Sequence, residues 1–301
     1  MNAKTAVLYL LVFASQQTIG QVFREKINKE LSFEKKGNNA LLIFNVNGFV
    51  KVIGYEGDKI QVEVERVIHA KTEARLEKGK TDVQFGVIDL ADTLIVYVKG
   101  SCNEFGRNKN KGRGKKRPEG WGYQWNNCGH NGRNDCPEGY DYEMNFTINV
   151  PVTLNLYAST VNDGDVTIEN IAGNVLANNV NGNIRLKSIS GPSTASTING
   201  DVDLDYSQNP NQDCRYYSLN GNINANFRKG LAANVSFKSF NGDLYTNVDP
   251  LEPMPATLEK KQDGRGILYK IGGRRYHVGK GGILLDFETF NGNVYLKELA
   301  N

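Results

Sequence analysis

Residues 164–204 read GDVTIENIAGNVLANNVNGNIRLKSISGPSTASTINGDVDL, with a glycine at every ninth position from Gly164 to Gly200. Between these glycines, the candidate inward side chains follow one another in steps of 2, 3 and 4 residues. A step of 2 is a β-strand with alternating faces, and the longer steps are corners where the chain turns. The inward candidates are Val166, Ile168, Ile171, Val175, Ala177, Val180, Ile184, Leu186, Ile189, Ser193, Ala195, Ile198, Val202 and Leu204.

Two kinds of corner alternate, so the true period is 18 residues. One kind carries Asn-Gly followed by Asn or Asp, as in residues 180–184 (VNGNI), and recurs with its glycine at positions 200, 221, 242 and 292. Asn-Gly is also a hairpin signal, but a meander of hairpins has no reason to alternate two turn types. We therefore expect an all-β, single-stranded β-helix (β-solenoid) whose coils stack on their neighbours.

The residues at these corners have a structural interpretation. Asn and Gly tolerate the left-handed backbone that a sharp turn requires. The residue after each corner glycine alternates between acid and amide, so stacked coils are predicted to hydrogen-bond there rather than repel. These residues are Asp165, Asn183, Asp201, Asn222, Asp243 and Asn293. The pattern indicates a solvated face rather than a catalytic site.

Composition supports a soluble, turn-rich protein. The chain has 301 residues, 32 Gly, 36 Asn and only 8 Pro, and its mean hydropathy is −0.47. This excludes a polytopic membrane protein, and a net charge of +3 gives no reason to expect a nucleic-acid partner. No cofactor is expected.

The N terminus has the form of a signal peptide. Lys4 precedes an apolar run from Ala6 to Ala14, and small residues follow, which predicts a signal peptide at 1–20 with cleavage before Gln21. The alternative is an uncleaved amphipathic N terminus. The mature chain is then extracytoplasmic: periplasmic, on the cell surface or secreted. It has no transmembrane segment, since nine apolar residues cannot span a bilayer.

Four cysteines in an exported chain favour disulfides over a metal site. The candidates are Cys102, Cys128, Cys136 and Cys214, which permit three pairings. Cys128, His130 and Cys136 lack the paired C-x2-C spacing of structural zinc sites, so we expect no metal.

The rest of the chain divides around the repeats. Residues 21–142 are an N-terminal β region that contributes the first coils or a cap, with a short helix or loop at 71–80. Residues 143–301 hold the solenoid repeats, and the two parts are expected to form one continuous structural domain.

A long excursion at 101–141 carries three of the cysteines, Trp121 and Trp125. It also carries a basic cluster made of Arg107, Lys109, Lys111, Arg113, Lys115, Lys116 and Arg117. One interpretation is contact with an anionic surface or polysaccharide. We favour a solvated, partly disordered loop pinned by disulfides, because interspersed Asn and Gly give the cluster no fixed shape.

A second excursion at 249–282 is expected to form a hairpin around Gly272 and Gly273. If it leaves and rejoins the stack between consecutive coils, Tyr245 and Tyr295 become neighbours on one face. Together with Arg274, Arg275 and Tyr276 they form a candidate binding surface for a sugar or a protein partner. The alternative is that the hairpin simply covers both tyrosines.

The repeats resemble the bacterial putative-adhesin family, exported proteins of unknown function with repeated [ST]-Φ-N-G-[DN]-Φ motifs. The resemblance covers most of the mature chain and includes the lead-in at 145–161 and the segment GKGG at 279–282 before the last Asn-Gly corner. It implies a right-handed β-helix outside the cytoplasm and supplies no catalytic residues.

Standard catalytic motifs are absent from the sequence, and its three histidines are scattered. The enzyme alternative is a polysaccharide-cleaving β-helix, for which Asp201, Asp203 and Asp205 are the nearest carboxylates. The sequence therefore predicts a non-enzymatic, adhesin-like protein with a cell-envelope or surface binding role. Its partner would be a glycan, an envelope component or another protein.

Overall fold

The computed structural model describes residues 20–34, 37–101, 103–107, 120–125, 139–255, 258–263, 266–271 and 274–299. Within these ranges the chain forms 25 β-strands and one α-helix, which confirms the all-β class. The predicted signal peptide and Cys102, Cys128 and Cys136 lie outside the described residues, apart from Gly20.

The elements follow the chain in three groups. The N-terminal group is β1 (Gln21–Leu31), β2 (Ala40–Phe44), β3 (Val50–Tyr55), β4 (Ile60–Ala70), α1 (Glu73–Asp82), β5 (Gln84–Leu90), β6 (Thr93–Lys99), β7 (Asn103–Arg107), β8 (Trp121–Trp125) and β9 (Tyr140–Pro151). The repeat group is β10 (Asn155–Ser159), β11 (Val166–Glu169), β12 (Val175–Asn178), β13 (Ile184–Ile189), β14 (Ser193–Asn199), β15 (Val202–Tyr206), β16 (Cys214–Asn220), β17 (Ile223–Arg228), β18 (Ala233–Lys238) and β19 (Leu244–Thr246). The C-terminal group is β20 (Leu251–Pro253), β21 (Leu258–Asp263), β22 (Gly266–Ile271), β23 (Arg274–Val278), β24 (Ile283–Asn291) and β25 (Val294–Leu299).

Two large mixed sheets contain most of the strands. The ten-stranded sheet has the order β1-β4-β9-β3-β11-β13-β15-β17-β25-β19. The eleven-stranded sheet has the order β20-β23-β18-β24-β16-β14-β12-β10-β2-β6-β5. The strand pairs β7–β8 and β21–β22 are separate two-stranded hairpins.

Seven pairs of successive strands place one strand in each large sheet, and we call each pair a rung. The rungs are β2–β3, β10–β11, β12–β13, β14–β15, β16–β17, β18–β19 and β24–β25. Strands of adjacent rungs are parallel, and Val166, Ile184 and Val202 are successive register partners. The register therefore follows the 18-residue period of the sequence.

The side chains that point between the two sheets form the main core. Twelve of the fourteen predicted inward residues are buried, including Ile184 and Leu204. The prediction is wrong for Val180 and Ile198, and Ile198 is 41% exposed. The residue before each of them turns inward instead.

That inward residue is polar, and it bonds to the neighbouring rung. Thr197 Oγ1 donates to the carbonyl oxygen of Gly182 at 2.9 Å, and Ser218 Oγ donates to that of Gly200 at 2.8 Å. Asn179 Nδ2 makes the same bond to Gly164 at 3.0 Å. A buried carbonyl without a partner is costly, so the Ser, Thr or Asn of the motif serves to satisfy it.

Close stacking, rather than a left-handed backbone, explains the corner glycines. A Cβ at Gly182 would lie 2.2 Å from the carbonyl oxygen of Gly164, and one at Gly221 would lie 2.0 Å from that of Gly200. Neither glycine has a positive φ. The expectation of a left-handed conformation is wrong at Gly182 and Gly221; the non-glycine residues with a positive φ within 164–204 are Asn170 and Ser188, and Asp163 precedes Gly164 with a positive φ as well.

The last rung in sequence does not lie at the end of the stack. In both large sheets, β24–β25 lies between β16–β17 and β18–β19. The predicted alternation of acid and amide is therefore wrong at this point, because Asn222 is followed in space by Asn293 and then by Asp243. At each step the side-chain oxygen accepts a backbone N–H of the next rung, as in Asn183 N to Asp165 Oδ1 at 2.7 Å.

The N-terminal group covers the first rung. β9 and β4 continue the ten-stranded sheet beyond β3, while β6 and β5 continue the other sheet beyond β2. Helix α1 begins after Thr72, whose side chain accepts from Arg75 N, and it packs against β4 and β9. These strands cover the rung edge, as a cap does.

The second excursion turns at a different place from the one predicted. Its hairpin pairs Leu258–Asp263 with Gly266–Ile271, so both paired strands precede Gly272 and Gly273; residues 264–265 and 272–273 lie outside the described residues. β23 then pairs antiparallel with both β18 and β20.

Cys214 is a free, buried thiol, so its predicted disulfide is wrong. It lies in a polar cluster in which Ser193 Oγ is 2.7 Å from the Tyr206 hydroxyl and 3.0 Å from that of Tyr216. Burial raises the pKa of both phenols, so they stay neutral.

Candidate binding groove

The outer face of the eleven-stranded sheet is apolar near β2, β6 and β10. Leu42, Ile95 and Tyr157 are register partners across these three strands, and all three are buried although they point away from the main core. With Phe44 and Trp121 they form a second hydrophobic cluster. Something outside the sheet must therefore cover them.

The β7–β8 hairpin is that cover. The Phe105 ring lies 4.9 Å from the Phe44 ring and stacks on Tyr97 at 4.4 Å between centroids. Tyr123 donates its hydroxyl to the Phe44 carbonyl at 2.9 Å and accepts from Val98 N at 3.0 Å. Burial raises the pKa of Tyr123, so the phenol remains protonated. The predicted irregular loop is therefore wrong for these ten residues, which form a docked hairpin.

A groove of about 610 Å³ opens beside this hairpin on the same face of the sheet. Trp125, at the end of β8, lines it with 58% of its surface exposed, and its ring is 5.9 Å from the Tyr123 ring. The floor consists of outward side chains from four neighbouring strands. They include Ser159, Asn178, Ser196 and Tyr217 in one row, and Tyr157, Leu176, Thr194 and Arg215 in the next.

The groove carries little net charge. Among the described residues that line it, Arg215 is the only one with a charged side chain, and it pairs with Asp286 at 3.6 Å and with Glu288 at 3.0 Å. No carboxylate belongs to this described lining. Its chemistry is therefore ring stacking and hydrogen bonding by hydroxyls and amides.

A second hollow of about 430 Å³ adjoins the groove and shares Tyr157, Leu176 and Thr194 with it. Its additional polar residues include Asn155, Asn174, Gln212 and Asp213, whose carboxylate accepts from Leu284 N at 2.8 Å. The two hollows together extend the polar surface along β10, β12 and β14.

The sequence-predicted tyrosine surface is only partly assembled. Tyr245 and Tyr295 are register partners with stacked rings, 5.2 Å between centroids, and Tyr245 is 50% exposed. Arg274, Arg275 and Tyr276 lie in β23 of the other large sheet, and Tyr276 packs against the main core. The structure does not bring these three residues to the tyrosine pair.

The other predicted residues lie elsewhere. Arg107 places its guanidinium 5.5 Å from the Trp121 ring centroid, and the rest of the basic cluster, Lys109, Lys111, Arg113, Lys115, Lys116 and Arg117, lies outside the described residues. Asp203 pairs with Arg185 at 3.7 Å, and Asp205 pairs with Arg228 at 3.6 Å. These carboxylates therefore belong to ion pairs between rungs.

Sequence reasoning missed Phe44, Tyr157 and the polar rows of the groove. One signal was available: residues 40–44 read ALLIF, a strand that is apolar on both faces. Such a run indicates that both faces are covered.

Comparisons with known proteins find distant similarities in structure alone. No model of a protein family matches this chain, and no curated protein matches it in sequence. Solved structures similar to it include a putative cell adhesion protein from Clostridium sporogenes ATCC 15579, with 10% identity, a TM-score of 0.40, and coverage of 92% of this chain and 100% of that one. A putative adhesin from Bacteroides fragilis NCTC 9343 has 12% identity and a TM-score of 0.36, over 91% of this chain and 97% of that one. A putative adhesin from Parabacteroides distasonis ATCC 8503 has 11% identity and a TM-score of 0.25, over 94% and 98% of the two chains.

TM-scores below 0.5 do not establish a shared function. Among the described residues, no helix is long and apolar enough to cross a membrane.

Proposed function

We propose that this protein is an exported, adhesin-like β-solenoid without enzymatic activity that binds glycan on the outer face of its eleven-stranded sheet. Parallel stacking of seven rungs, each with one strand in either sheet, supports the solenoid interpretation. The binding role rests on the groove beside the β7–β8 hairpin.

The exposed indole of Trp125 is the observation that carries the proposal. Single exposed hydrophobic residues are ordinary on a protein surface, so the exposure of this ring is informative because the ring also lines a groove. The ring stands beside hydroxyl and amide groups such as Asn178 and Ser196. A sugar presents the complementary chemistry, because its C–H face stacks on an aromatic ring while its hydroxyls exchange hydrogen bonds.

The polar rows favour a chain of sugars over a single one. Ser159, Asn178 and Ser196 occupy equivalent positions on adjacent strands, which lie about 4.8 Å apart. Similar groups thus recur at a spacing close to the length of one sugar ring. A repeating surface suits a repeating ligand.

The lining also supports binding without cleavage. Glycoside hydrolysis ordinarily requires two carboxyl groups about 5–10 Å apart across the scissile bond. The part of the groove lining that the structure describes offers none, and the guanidinium of Arg215 there is already paired. The tyrosine hydroxyl of Tyr123 is neutral and engaged in two hydrogen bonds.

A glycan array with the purified protein tests the proposal. Trp125→Ala should abolish retention of glycans that the wild type binds, while the melting temperature stays within about 2 °C. Tyr245→Ala is the matched control, because Tyr245 is a similarly exposed aromatic residue outside the groove. Loss of binding in Tyr245→Ala but not in Trp125→Ala would place the site elsewhere, and release of shorter sugars from a bound glycan would contradict the non-enzymatic role.

Export has a separate test. The apolar run from Ala6 to Ala14 after Lys4 supports removal of a signal peptide. Intact-mass measurement of the protein recovered from cell fractions should give a chain that begins near Gln21. A mature chain that retains Met1 would contradict export by this route.

A further inference from the structure

β1 is a long strand at the end of the ten-stranded sheet. It pairs along its whole length with β4, from Gln21 opposite Ala70 to Leu31 opposite Ile60. Its other edge has no strand partner in the described part of the chain. An open edge of 11 residues presents unpaired backbone N–H and C=O groups, which form a template for another strand.

The two faces of β1 differ in chemistry. Phe23, Ile27 and Leu31 pack against the main core but are only partly buried. The alternate side chains face solvent, and among them Val22 is 50% exposed. A strand added along this edge would complete the cover of the three apolar side chains.

The sequence of β1 is complementary to itself in one antiparallel register. A twofold axis perpendicular to the sheet keeps each side chain on its own face of the sheet. Residues that lie directly opposite each other must then both be odd-numbered or both be even-numbered. The axis therefore lies level with a residue of β1 rather than between two residues. With the axis at Ile27, Arg24 lies opposite Glu30 of the second copy, Glu25 opposite Lys29, and Phe23 opposite Leu31. Each of these pairs occurs twice.

The two neighbouring registers set less favourable side chains opposite each other. An axis at Lys26 sets that lysine opposite itself and Phe23 opposite Lys29. An axis at Asn28 sets Glu25 opposite Leu31 and Ile27 opposite Lys29. Of these three registers, only the axis at Ile27 sets Arg24 opposite Glu30 on the solvent face while it pairs Phe23 with Leu31, and Glu25 with Lys29, on the face that contacts the core.

We infer that two copies of this chain form a dimer by antiparallel pairing of their β1 strands about Ile27. The pairing closes both open edges and makes one continuous sheet across the two copies. It also extends ion pairs already present, because Arg24 lies 3.5 Å from Glu65 of β4 and Glu30 pairs with Lys59. The dimer places two glycan-binding grooves in one particle, which raises avidity for a repeating ligand if the proposed function holds.

Charge reversal tests the register. Sedimentation analysis over a range of concentrations should show a monomer–dimer equilibrium for the wild type. Arg24→Glu sets like charges opposite each other twice and should weaken dimerisation about tenfold or more. The double variant Arg24→Glu/Glu30→Arg should restore the wild-type constant, although it disrupts the pairs with Glu65 and Lys59 within each copy.

Lys26→Glu is the matched control. It breaks the ion pair with Glu63 in the same way, but residue 26 lies opposite Asn28 in the dimer, so dimerisation should weaken much less than in Arg24→Glu. Thermal melts confirm that each variant is folded. A wild type that stays monomeric, a dimer insensitive to Arg24→Glu, or a double variant as weak as the single one would each overturn the inference. Because these measurements use no glycan, they test dimerisation independently of the proposed function.

Discussion

Asn291 donates its side-chain amide to Asn220 Oδ1 at 2.8 Å, although 71 residues separate them. Asn241 precedes Asn291 in sequence but follows it in the stack, and donates to Asn291 Oδ1 at 2.8 Å. The same bond links Asn199 to Asn181 and Asn220 to Asn199. The asparagines of the Asn-Gly corners thus form one continuous ladder whose order is that of the rungs in space.

The ladder predicts unequal effects at its middle and its end. Asn291→Ala removes two side-chain hydrogen bonds and should lower the free energy of unfolding by about 1 kcal/mol. Asn241→Ala removes one bond and should cost about half as much. Urea denaturation of both variants measures the difference. Equal costs would mean that the ladder does not extend through Asn291.

The buried hydroxyl of Thr197 is predicted to matter more than the apolar side chain beside it. Thr197→Val leaves the Gly182 carbonyl without its partner and should destabilise the protein by about 1–2 kcal/mol. Ile198→Thr alters an exposed side chain and should change stability by less than about 0.5 kcal/mol. Thermal or urea melts of the two variants compare them directly. If Ile198→Thr were the more destabilising of the two, Ile198 rather than Thr197 would be the inward residue of this corner.

Gly182→Ala should be strongly destabilising because the added methyl group would meet the Gly164 carbonyl at 2.2 Å. A backbone atom cannot move aside as a side chain can, so we expect a cost of about 2 kcal/mol or more. Gly37→Ala is the control, since no atom lies within 4 Å of a Cβ at that position. Comparable melting temperatures for the two variants would contradict the close-stacking explanation.

Asp165 gives the protein a predicted pH dependence. Burial acts to raise the pKa of this carboxyl, but the N–H of Asn183 and the guanidinium of Arg185 outweigh it, so the pKa lies below its ordinary value. A lowered pKa in the folded state stabilises the protein above the unfolded pKa of about 3.9 and ceases to do so as the pH falls through the folded value.

The variant Asp165→Asn isolates this effect, because its amide oxygen still accepts from Asn183. It should be less stable than the wild type by up to about 1 kcal/mol at pH 7, and this difference should shrink as the pH falls below the unfolded pKa of about 3.9. Urea midpoints at pH 7 and at successively lower pH values measure it. A gap that stays constant with pH would show that the charge contributes nothing.

The strand positions of the repeats could be predicted because their signal is local. Val166, Ile184 and Val202 alternate with polar residues, and that alternation alone determines their face. The corners were harder, since Thr197 and Ile198 compete for one inward place. The hydrogen bond to Gly182 decides in favour of threonine, and that bond exists only once two rungs are stacked.

The order of the rungs and the groove could not be read from the sequence. Asn-Gly at 241–242 and at 291–292 offer nearly the same corner, so nothing local determines which stacks on Asn220. The position of the β7–β8 hairpin beside the groove depends on Phe105 in β7 and Trp121 in β8, and 13 residues separate these two strands. Their shared contact with the sheet is a long-range event that periodicity does not reveal.

The interposed rung makes the native order of the stack depend on strands that follow β18 and β19 in the sequence. Ile283–Leu299 separates two rungs that leave the ribosome earlier, so β18 and β19 lack their native parallel neighbours until this segment has been translated. In a chain that stops before residue 283, the Asn-Gly corner at 241–242 has β16–β17, which is not its native neighbour, as the rung on which it can stack. The described stack can therefore reach its native order only after Ile283–Asn291 and Val294–Leu299 have been translated.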